Sequence, residues 1–195
     1  MNDIFTLPTG PLAEASLSLV RETEKTPIAD HSIRSFLFAR LLAEKDGSVE
    51  DAAYDEELLF AACVMHDLGL GTRAAGRARF EVEGADLAAT VLTGHGVAAP
   101  DVDRVWEAIA LHSSIGIAHR RGLLTSLTHQ GVFADIGRVT GIEPAVLQPI
   151  HARYPRPDGD TSVRDAITDH AARSESAAPP YSIGAELLRQ RRAGG

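Results

Sequence analysis

Several residue types are scarce in this sequence of 195 residues, and each shortage argues against a class of protein. Cys63 is the only cysteine, so no internal disulfide can form and a reducing compartment is the expected setting. Aromatic residues are also few, at 5% of the chain. Long apolar runs are absent, since none approaches the roughly 20 residues of a membrane span. We therefore expect neither a disulfide-stapled scaffold nor a membrane protein.

Positive charge is scarce as well. The formal net charge is -8, and Lys25 and Lys45 are the only lysines. An acidic chain is poorly suited to a nucleic-acid backbone or an anionic membrane surface. The opening stretch MNDIFTLPTG lacks the basic and apolar regions of a signal peptide, so we expect a cytoplasmic protein. The expected partner is a small-molecule substrate, with a homo-oligomer formed through the Arg- and Ala-rich tail left open.

The sequence is rich in apolar residues at helical spacing. They recur every three or four positions nearly throughout, and no strand-like alternation occurs. This pattern predicts an all-α, single-domain helical bundle. We divide it into an N-terminal arm and helix (1–27), a core that holds the candidate site (28–152), and a C-terminal loop with helices that pack on the core (153–195).

Helix ends are predicted from capping residues, glycine and proline. The spacing predicts a helix over 11–25 that Pro27 stops, followed by one with Asp30 as its N-cap. Asp55 is placed to cap the helix that runs into the stretch VMHDLGLG, and a later helix is expected to start near Gly84.

Polar residues interrupt the apolar faces of four predicted helices and need an explanation. His31, His66, His112 and Asp135 all point toward the same apolar interior. Burying such groups without a partner costs on the order of several kcal/mol. A lone buried histidine is usually a hydrogen-bonded structural residue, and a His-Asp dipeptide often occurs by chance, so the combination carries the inference.

One divalent cation would satisfy most of these groups. Imidazole nitrogens and carboxylate oxygens bind zinc, iron, manganese or nickel, and no thiolate is needed. His66 and Asp67 are neighbours, whose side chains diverge by about 100° on a regular helix. They can share a site only if the helix ends there, as Gly69 and Gly71 indicate.

The motifs HSIRSF, VMHDLGL, LHSS and VFADIG resemble the successive motifs of the HD-domain superfamily of metal-dependent hydrolases. The resemblance covers about residues 28–140. It implies a helical bundle of the HD-domain type around a metal site. Carried over position by position, it implies four metal ligands: His31, His66, Asp67 and Asp135.

Two-metal HD phosphodiesterases carry additional histidines after the His-Asp pair. Phe80 stands where the first of these would be, and His112 fits the later position. His95 lies beyond a helix end, between two glycines, where a cap or a solvated turn residue is expected. We therefore predict a mononuclear site that holds one divalent metal ion.

HSIRSFLF, HDLGL, FEVEGA, VWEAIALHSSIGIA and ADIG resemble one branch of the superfamily more specifically, the cyanamide hydratase-like proteins. Members of that branch hydrate cyanamide to urea with zinc. The resemblance implies that metal-bound hydroxide attacks a small substrate of the nitrile type. It also favours zinc as the ion, although iron, manganese and nickel accept the same ligands.

Eight further residues are candidates for chemistry or binding. The catalytic candidates, for proton transfer or substrate orientation, are Glu81, His112, Ser113 and Ser114. The substrate-binding candidates are Arg34, Phe80, Arg73 and Arg77, the last two in a loop that would fold over the metal as a lid. Structural alternatives stay open: a salt bridge for Arg34, a helix cap for Glu81, helix-end packing for the serines, and a solvated loop for Arg73 and Arg77.

Three functions follow from this reading. The first is a mononuclear hydratase or hydrolase for a small substrate, possessing a C≡N or similar bond. The second is an HD-type phosphohydrolase that acts on a nucleotide or another phosphoester. The third is a non-catalytic protein that binds a metal or another ligand.

Overall fold

A computed structural model of the chain describes residues 4–139, 142–157 and 159–194. Within these ranges it has nine α-helices, three short 3-10 turns and no strand, which confirms the all-α prediction. In the same ranges no helix is both long and apolar enough to cross a membrane. The helices are α1 (Pro11–Thr23), α2 (Thr26–Asp46), α3 (Glu56–Met65), α4 (Phe80–Gly94), α5 (Ala99–Leu111), α6 (Leu123–Asp135), α7 (Pro144–Arg153), α8 (Ser162–Ala171) and α9 (Ile183–Gly194).

The core is built around α2 and α3. Every residue of α3 from Leu58 to Met65 is buried, as expected for a helix that is apolar on all sides. α2 packs mainly against α6 and α3, and α4 packs mainly against α5. Phe36 of α2 and Phe60 of α3 meet edge to face, with ring centroids 4.9 Å apart.

Two of the predicted helix starts are wrong, and the reason is local. α2 begins at Thr26 with Lys25 extended before it, so Pro27 opens this helix and Asp30 lies inside it. Proline suits the first turn because its missing N–H is not needed there. α4 begins at Phe80, one turn before Gly84, with Glu81 and Glu83 in the first turn. The predicted cap at Asp55 is confirmed, because its carboxylate accepts the backbone N–H of Leu58 at 3.0 Å.

The C-terminal helices complete the bundle. α8 and α9 pack against each other, and α8 also contacts α2 and α4. His170 of α8 is buried, and its Nε2–H donates to the carbonyl of Ala78 at 2.9 Å. The predicted domain boundaries at 27 and 152 stay predictions.

Candidate metal centre

The His66–Asp67 pair lies immediately after α3. The helix ends at Met65, and Asp67 has φ -103° and ψ 12°, outside regular helical geometry. The backbone therefore turns at the pair and brings the two neighbouring side chains into one site. Gly69 lets the start of α4 pack closely behind this turn, because a Cβ there would lie 1.9 Å from the carbonyl oxygen of Phe80.

His31 comes from α2 and meets the pair across the core. Its Nε2 lies 3.3 Å from Nε2 of His66 and 3.8 Å from Oδ2 of Asp67. His66 Nε2 and Asp67 Oδ2 are 3.3 Å apart. Three predicted ligands thus converge: one ligand atom from each lies within 4.8 Å of the other two, and all three residues are buried.

The hydrogen bonds around this group fix which nitrogens are free. Nδ1 of His66 lies 2.7 Å from the carbonyl of Cys63, which can only accept, so the proton is on Nδ1. His31 Nδ1 likewise faces a carboxylate oxygen of Asp135 at 2.6 Å. Both Nε2 lone pairs therefore point into the site, as metal-ligating histidines require.

The surroundings of Asp67 show whether the site suits a cation. Oδ2 of Asp67 is buried and has no hydrogen-bond partner among the residues that the structure describes. Burial alone would raise the pKa of Asp67, but His66, His31 and His112 around it hold this pKa below its usual range. The same interaction raises the pKa of His66 despite its burial. An anion that attracts positive charge, beside two converging lone pairs, fits a divalent metal ion.

Asp135, the fourth predicted ligand, lies on the far side of His31. Its Oδ2 accepts from His31 Nδ1 and from Arg34 Nη2 at 2.9 Å, and its Oδ1 accepts from Arg34 Nε at 2.6 Å. Burial opposes ionisation, but His31 and Arg34 hold the pKa of Asp135 below its usual range. The structure does not bring this carboxylate into the converging group, so its role as a direct ligand stays a prediction.

Arg34 is fully engaged in this part of the site. Besides Asp135, its guanidinium donates through Nη1 to the carbonyls of Pro155 at 2.9 Å and Tyr154 at 3.3 Å. α2 and α6 approach closely enough for this network because Gly131 has no side chain; a Cβ there would lie 2.2 Å from the carbonyl oxygen of Ser35. The salt-bridge alternative for Arg34 is the one that this geometry supports.

His112 stands beside the converging group. Its Nδ1–H donates to the carbonyl of Ile109 at 2.7 Å, its Nε2 lies 3.9 Å from Oδ1 of Asp67, and its ring centroid is 4.7 Å from that of His66. Burial is the main cause that lowers the pKa of His112 to about 4. His112 is therefore a neutral imidazole with a lone pair directed at the site.

The sequence match agrees with this geometry. A family model of the HD domain matches residues 28–171, from the start of α2 to the end of α8. The chain belongs to the HD-domain family. Proteins with an HD domain are generally metal-dependent hydrolases. No curated protein matches the sequence significantly.

Beside the metal centre of this HD domain, Ser113 and Glu81 form a pair. The hydroxyl of Ser113 donates to Glu81 Oε1 at 2.6 Å, and Arg79 Nη2 donates to the same oxygen at 2.7 Å. Burial opposes ionisation of Glu81, but Arg79, His112 and Ser113 hold its pKa below the usual value. The carboxylate is therefore ionised, and it fixes the direction of the serine hydroxyl.

A cavity of about 500 Å³ opens over the HD-domain site. Of the predicted residues, those that line it are His31, Arg34, His66, Asp67, Phe80, His112, Ser113 and Asp135. Glu81 reaches it only through Ser113, and Ser114 is not part of its lining.

Arg73 and Arg77, the predicted lid, are exposed and do not line the cavity. Their loop is held away from it, because the backbone N–H groups of Gly76, Arg77 and Ala78 all donate to the carboxylate of Glu83. The structure does not bring these two arginines to the site.

Sequence reasoning missed the outer part of the cavity in this HD domain. Arg138, Arg156 and Arg164 line it, together with apolar residues of α8 and α9. Arg156 also donates to the backbone carbonyl of Asp135. The available signal was the i, i+4 spacing of apolar residues in the tail, which indicates two helices with one apolar side each.

Proposed function

We propose that this protein is a mononuclear metal-dependent hydrolase or hydratase that acts on a small substrate with a C≡N or similar bond. The observation that carries the proposal is the buried, unpartnered Oδ2 of Asp67, which faces the lone pairs of His31 and His66. Without a cation this arrangement costs free energy, because an unsatisfied buried acceptor sits in a low-dielectric interior.

His31, His66 and Asp67 would hold the ion, and either Asp135 or His112 would complete the set. A divalent metal ion in such a site supplies Lewis acidity and lowers the pKa of water bound to it. Zinc is the ion we favour, since two or three imidazoles and a carboxylate are ordinary ligands for it.

Phe80 supports one ion over two. Its ring centroid lies 5.6 Å from that of His112. By resemblance, Phe80 stands at the sequence position where two-metal HD phosphodiesterases carry another histidine. A phenyl ring offers no ligand and fills that volume with apolar surface. Its place in the cavity lining also keeps Phe80 a candidate for substrate contact.

Ser113 supports a substrate that carries an N–H group. Its hydroxyl proton is donated in a hydrogen bond to the ionised Glu81, so the oxygen presents only lone pairs to the cavity. A substrate amino group can donate to those lone pairs, whereas a phosphate, which only accepts when ionised, cannot. Cyanamide carries such a group, and addition of one water across its C≡N bond gives urea without a leaving group.

His112 is the group best placed to handle a proton in this reaction. It is neutral, and its Nε2 lone pair faces the site 3.9 Å from Asp67. Hydration of a nitrile moves both protons of water to the nitrile nitrogen, one when the oxygen adds to carbon and one when the resulting imidic acid tautomerises to the amide. A positioned imidazole can serve these transfers. We assign this role to His112 when it does not act as the additional ligand.

A phosphoester hydrolase is the second candidate. Arg138, Arg156 and Arg164 line the same cavity, and guanidinium groups recognise phosphate oxygens well. This alternative predicts phosphate release from a nucleotide or another phosphoester, and loss of that activity when Arg138 or Arg164 is replaced by alanine.

Two measurements test the proposal. Elemental analysis should find one equivalent of metal per chain in the wild type, almost none in His66→Ala, and an unchanged amount in His95→Ala, which alters an exposed histidine. Metal-loaded protein should convert cyanamide to urea and lose this activity on chelation.

Each result separates the candidates. Two equivalents of metal would overturn the mononuclear assignment. Phosphate release without any nitrile turnover would favour the phosphohydrolase. Metal that raises the melting temperature without turnover of either substrate class would identify a binding protein, since ligand binding alone stabilises the folded state.

A further inference from the structure

The outer wall of the cavity has no part in the proposed chemistry. α8 contributes Val163 and Ile167 to it, and α9 contributes Ile183 and Leu187. Each pair has i, i+4 spacing, so each helix presents both side chains to the same side. The tail of the chain thus builds an apolar wall opposite the metal centre.

The inner end of α6 faces this wall with further apolar groups. Val132, Phe133 and Ile136 line the cavity just before and after Asp135. Together the two sides form an apolar slot that leads from the surface to the candidate metal centre.

The slot is larger than the smallest substrate of the proposed reaction. The whole cavity, which includes the slot and the candidate metal centre, has a volume of about 500 Å³, within the range of pockets that bind small organic molecules. A water molecule takes about 30 Å³ of liquid volume, and a molecule such as cyanamide is only a few times larger. Most of the cavity would then hold nothing but water against apolar walls.

The mouth of the slot is apolar as well. Ile115 is 75% exposed, Ile183 39% and Ile136 38%, and all three line this cavity. Large apolar side chains left exposed around one opening indicate a ligand-binding groove.

The charges around the slot are of both signs, because Asp160 and Glu186 line the cavity together with Arg138, Arg156 and Arg164. Arg34 is saturated by Asp135 and two backbone carbonyls, and Arg164 donates to Gln190 at 3.0 Å. An anionic ligand would gain little from this mixed rim.

We propose, building on the proposed function of this cavity, that the substrate carries an apolar body, alkyl or aromatic. This body lies in the slot between α8–α9 and the end of α6, while the reactive group reaches the metal centre. The slot thereby favours uncharged organic substrates with an apolar body over anionic ones and over minimal ones such as cyanamide, which would still react but bind less tightly.

The experiment uses metal-loaded protein and a series of straight-chain hydroxamic acids, from acetohydroxamic to octanohydroxamic acid. The hydroxamate end binds the metal, and the alkyl chain probes the slot. Isothermal titration calorimetry should show affinity rising by about threefold to fourfold per methylene. Alkyl phosphates of the same lengths should bind more weakly than the hydroxamates at every length.

Two neighbouring leucines of α9 give a matched pair of variants. Leu187 lines the slot, whereas Leu188 lines a separate hollow with Ala171 and Pro180, and both are half-buried. Leu187→Gln should reduce the increase in affinity per methylene, and Leu188→Gln should leave it at the wild-type value. Circular dichroism melts of both variants check that the fold is kept.

Equal affinity across the hydroxamate series in the wild type would overturn the inference, and so would a chain-length dependence that Leu187→Gln leaves unchanged. Tighter binding of the alkyl phosphates would overturn it too. Metal content and urea formation report separately on the proposed function. If no metal binds or no urea forms, but affinity still rises with chain length, the proposed reaction is refuted while the proposed apolar slot stands.

Discussion

Asp67 and Asp135 lie on opposite sides of the His31 ring, and their surroundings differ in how fully they satisfy a carboxylate. At Asp135, two donors of Arg34 and one of His31 reach the two oxygens. At Asp67, one buried oxygen has no hydrogen-bond partner. Both carboxylates are buried and both have lowered pKa values, so burial and charge alone do not distinguish them.

This difference indicates that Asp135 positions neighbouring side chains, whereas Asp67 is available to bind a cation. A carboxylate that already accepts three hydrogen bonds has little capacity left for a cation, and we expect it to act mainly through the groups that it holds, here the ring of His31 and the guanidinium of Arg34. An unsaturated buried carboxylate retains that capacity at a cost in stability. Substitutions at these two carboxylates test this difference in role, and a third substitution extends the comparison to another buried carboxylate.

The largest effect on stability is expected for Asp135→Asn. The variant leaves the buried guanidinium of Arg34 without a counter-charge, which should lower the free energy of unfolding by about 3–5 kcal/mol. Urea unfolding of metal-free protein at neutral pH measures it. Asp101→Asn is the control, because its partner Arg104 lies on the surface and exposed pairs contribute at most about 1 kcal/mol.

The pH dependence gives a second view of the same pair. Because the folded-state pKa of Asp135 is lowered, its contribution to stability is present above the ordinary value near pH 4 and is lost as the pH falls below it. Asp135→Asn should therefore flatten the acid side of the stability profile. An unchanged acid side would show that other carboxylates account for it.

The next prediction concerns metal affinity, for which we expect the substitution at Asp67 to have the larger effect and the one at Asp135 the smaller. Asp67→Asn removes a charged ligand and should weaken metal binding more than the tenfold to hundredfold loss that is typical of outer-shell changes. Asp135→Asn should fall within about that tenfold to hundredfold range. Competition with a chromogenic chelator measures both. Equal losses would show that Asp135 binds the ion directly, as the sequence motif predicts.

The smallest effect is expected at Glu24, a third buried carboxylate. Within the described part of the chain, neither of its oxygens has a hydrogen-bond partner, and burial, with a contribution from Asp67, raises its pKa well above the usual value. A raised pKa means that stability is greatest below the ordinary value near pH 4 and declines as the pH rises. Glu24→Gln should therefore stabilise the protein by about 1 kcal/mol at neutral pH and have no effect near pH 4.

Melting curves of Glu24→Gln between pH 4 and neutral pH provide the measurement, with Glu22→Gln on the exposed side of α1 as the control. A gain that does not grow with pH would show that the side chain contributes through its shape and not through its charge.

The spacing of apolar residues and the order of the motifs predicted much of this molecule. An all-α chain in the HD-domain family is confirmed, and His31, His66 and Asp67 converge as the motifs indicated. These features depend on local signals: helical periodicity, and glycines that end a helix where two ligands must turn together.

The remainder depended on contacts between distant residues. Arg34 and Asp135 are 101 positions apart, and nothing in the local sequence shows that the arginine donates hydrogen bonds to this carboxylate. Arg73 and Arg77 stood next to the motifs in sequence, yet the carboxylate of Glu83 holds their loop elsewhere. The cavity wall from α8 and α9 was missed because it depends on where the tail packs.

The position of Arg34 has a mechanical consequence. One guanidinium donates both to Asp135, which orients His31, and to the carbonyls of Tyr154 and Pro155, which lead into the C-terminal wall. A displacement of that segment would take two acceptors away from the side chain that orients the His31 ring through Asp135. We therefore expect substitutions that shift residues 154–155 to disturb the candidate metal centre as well.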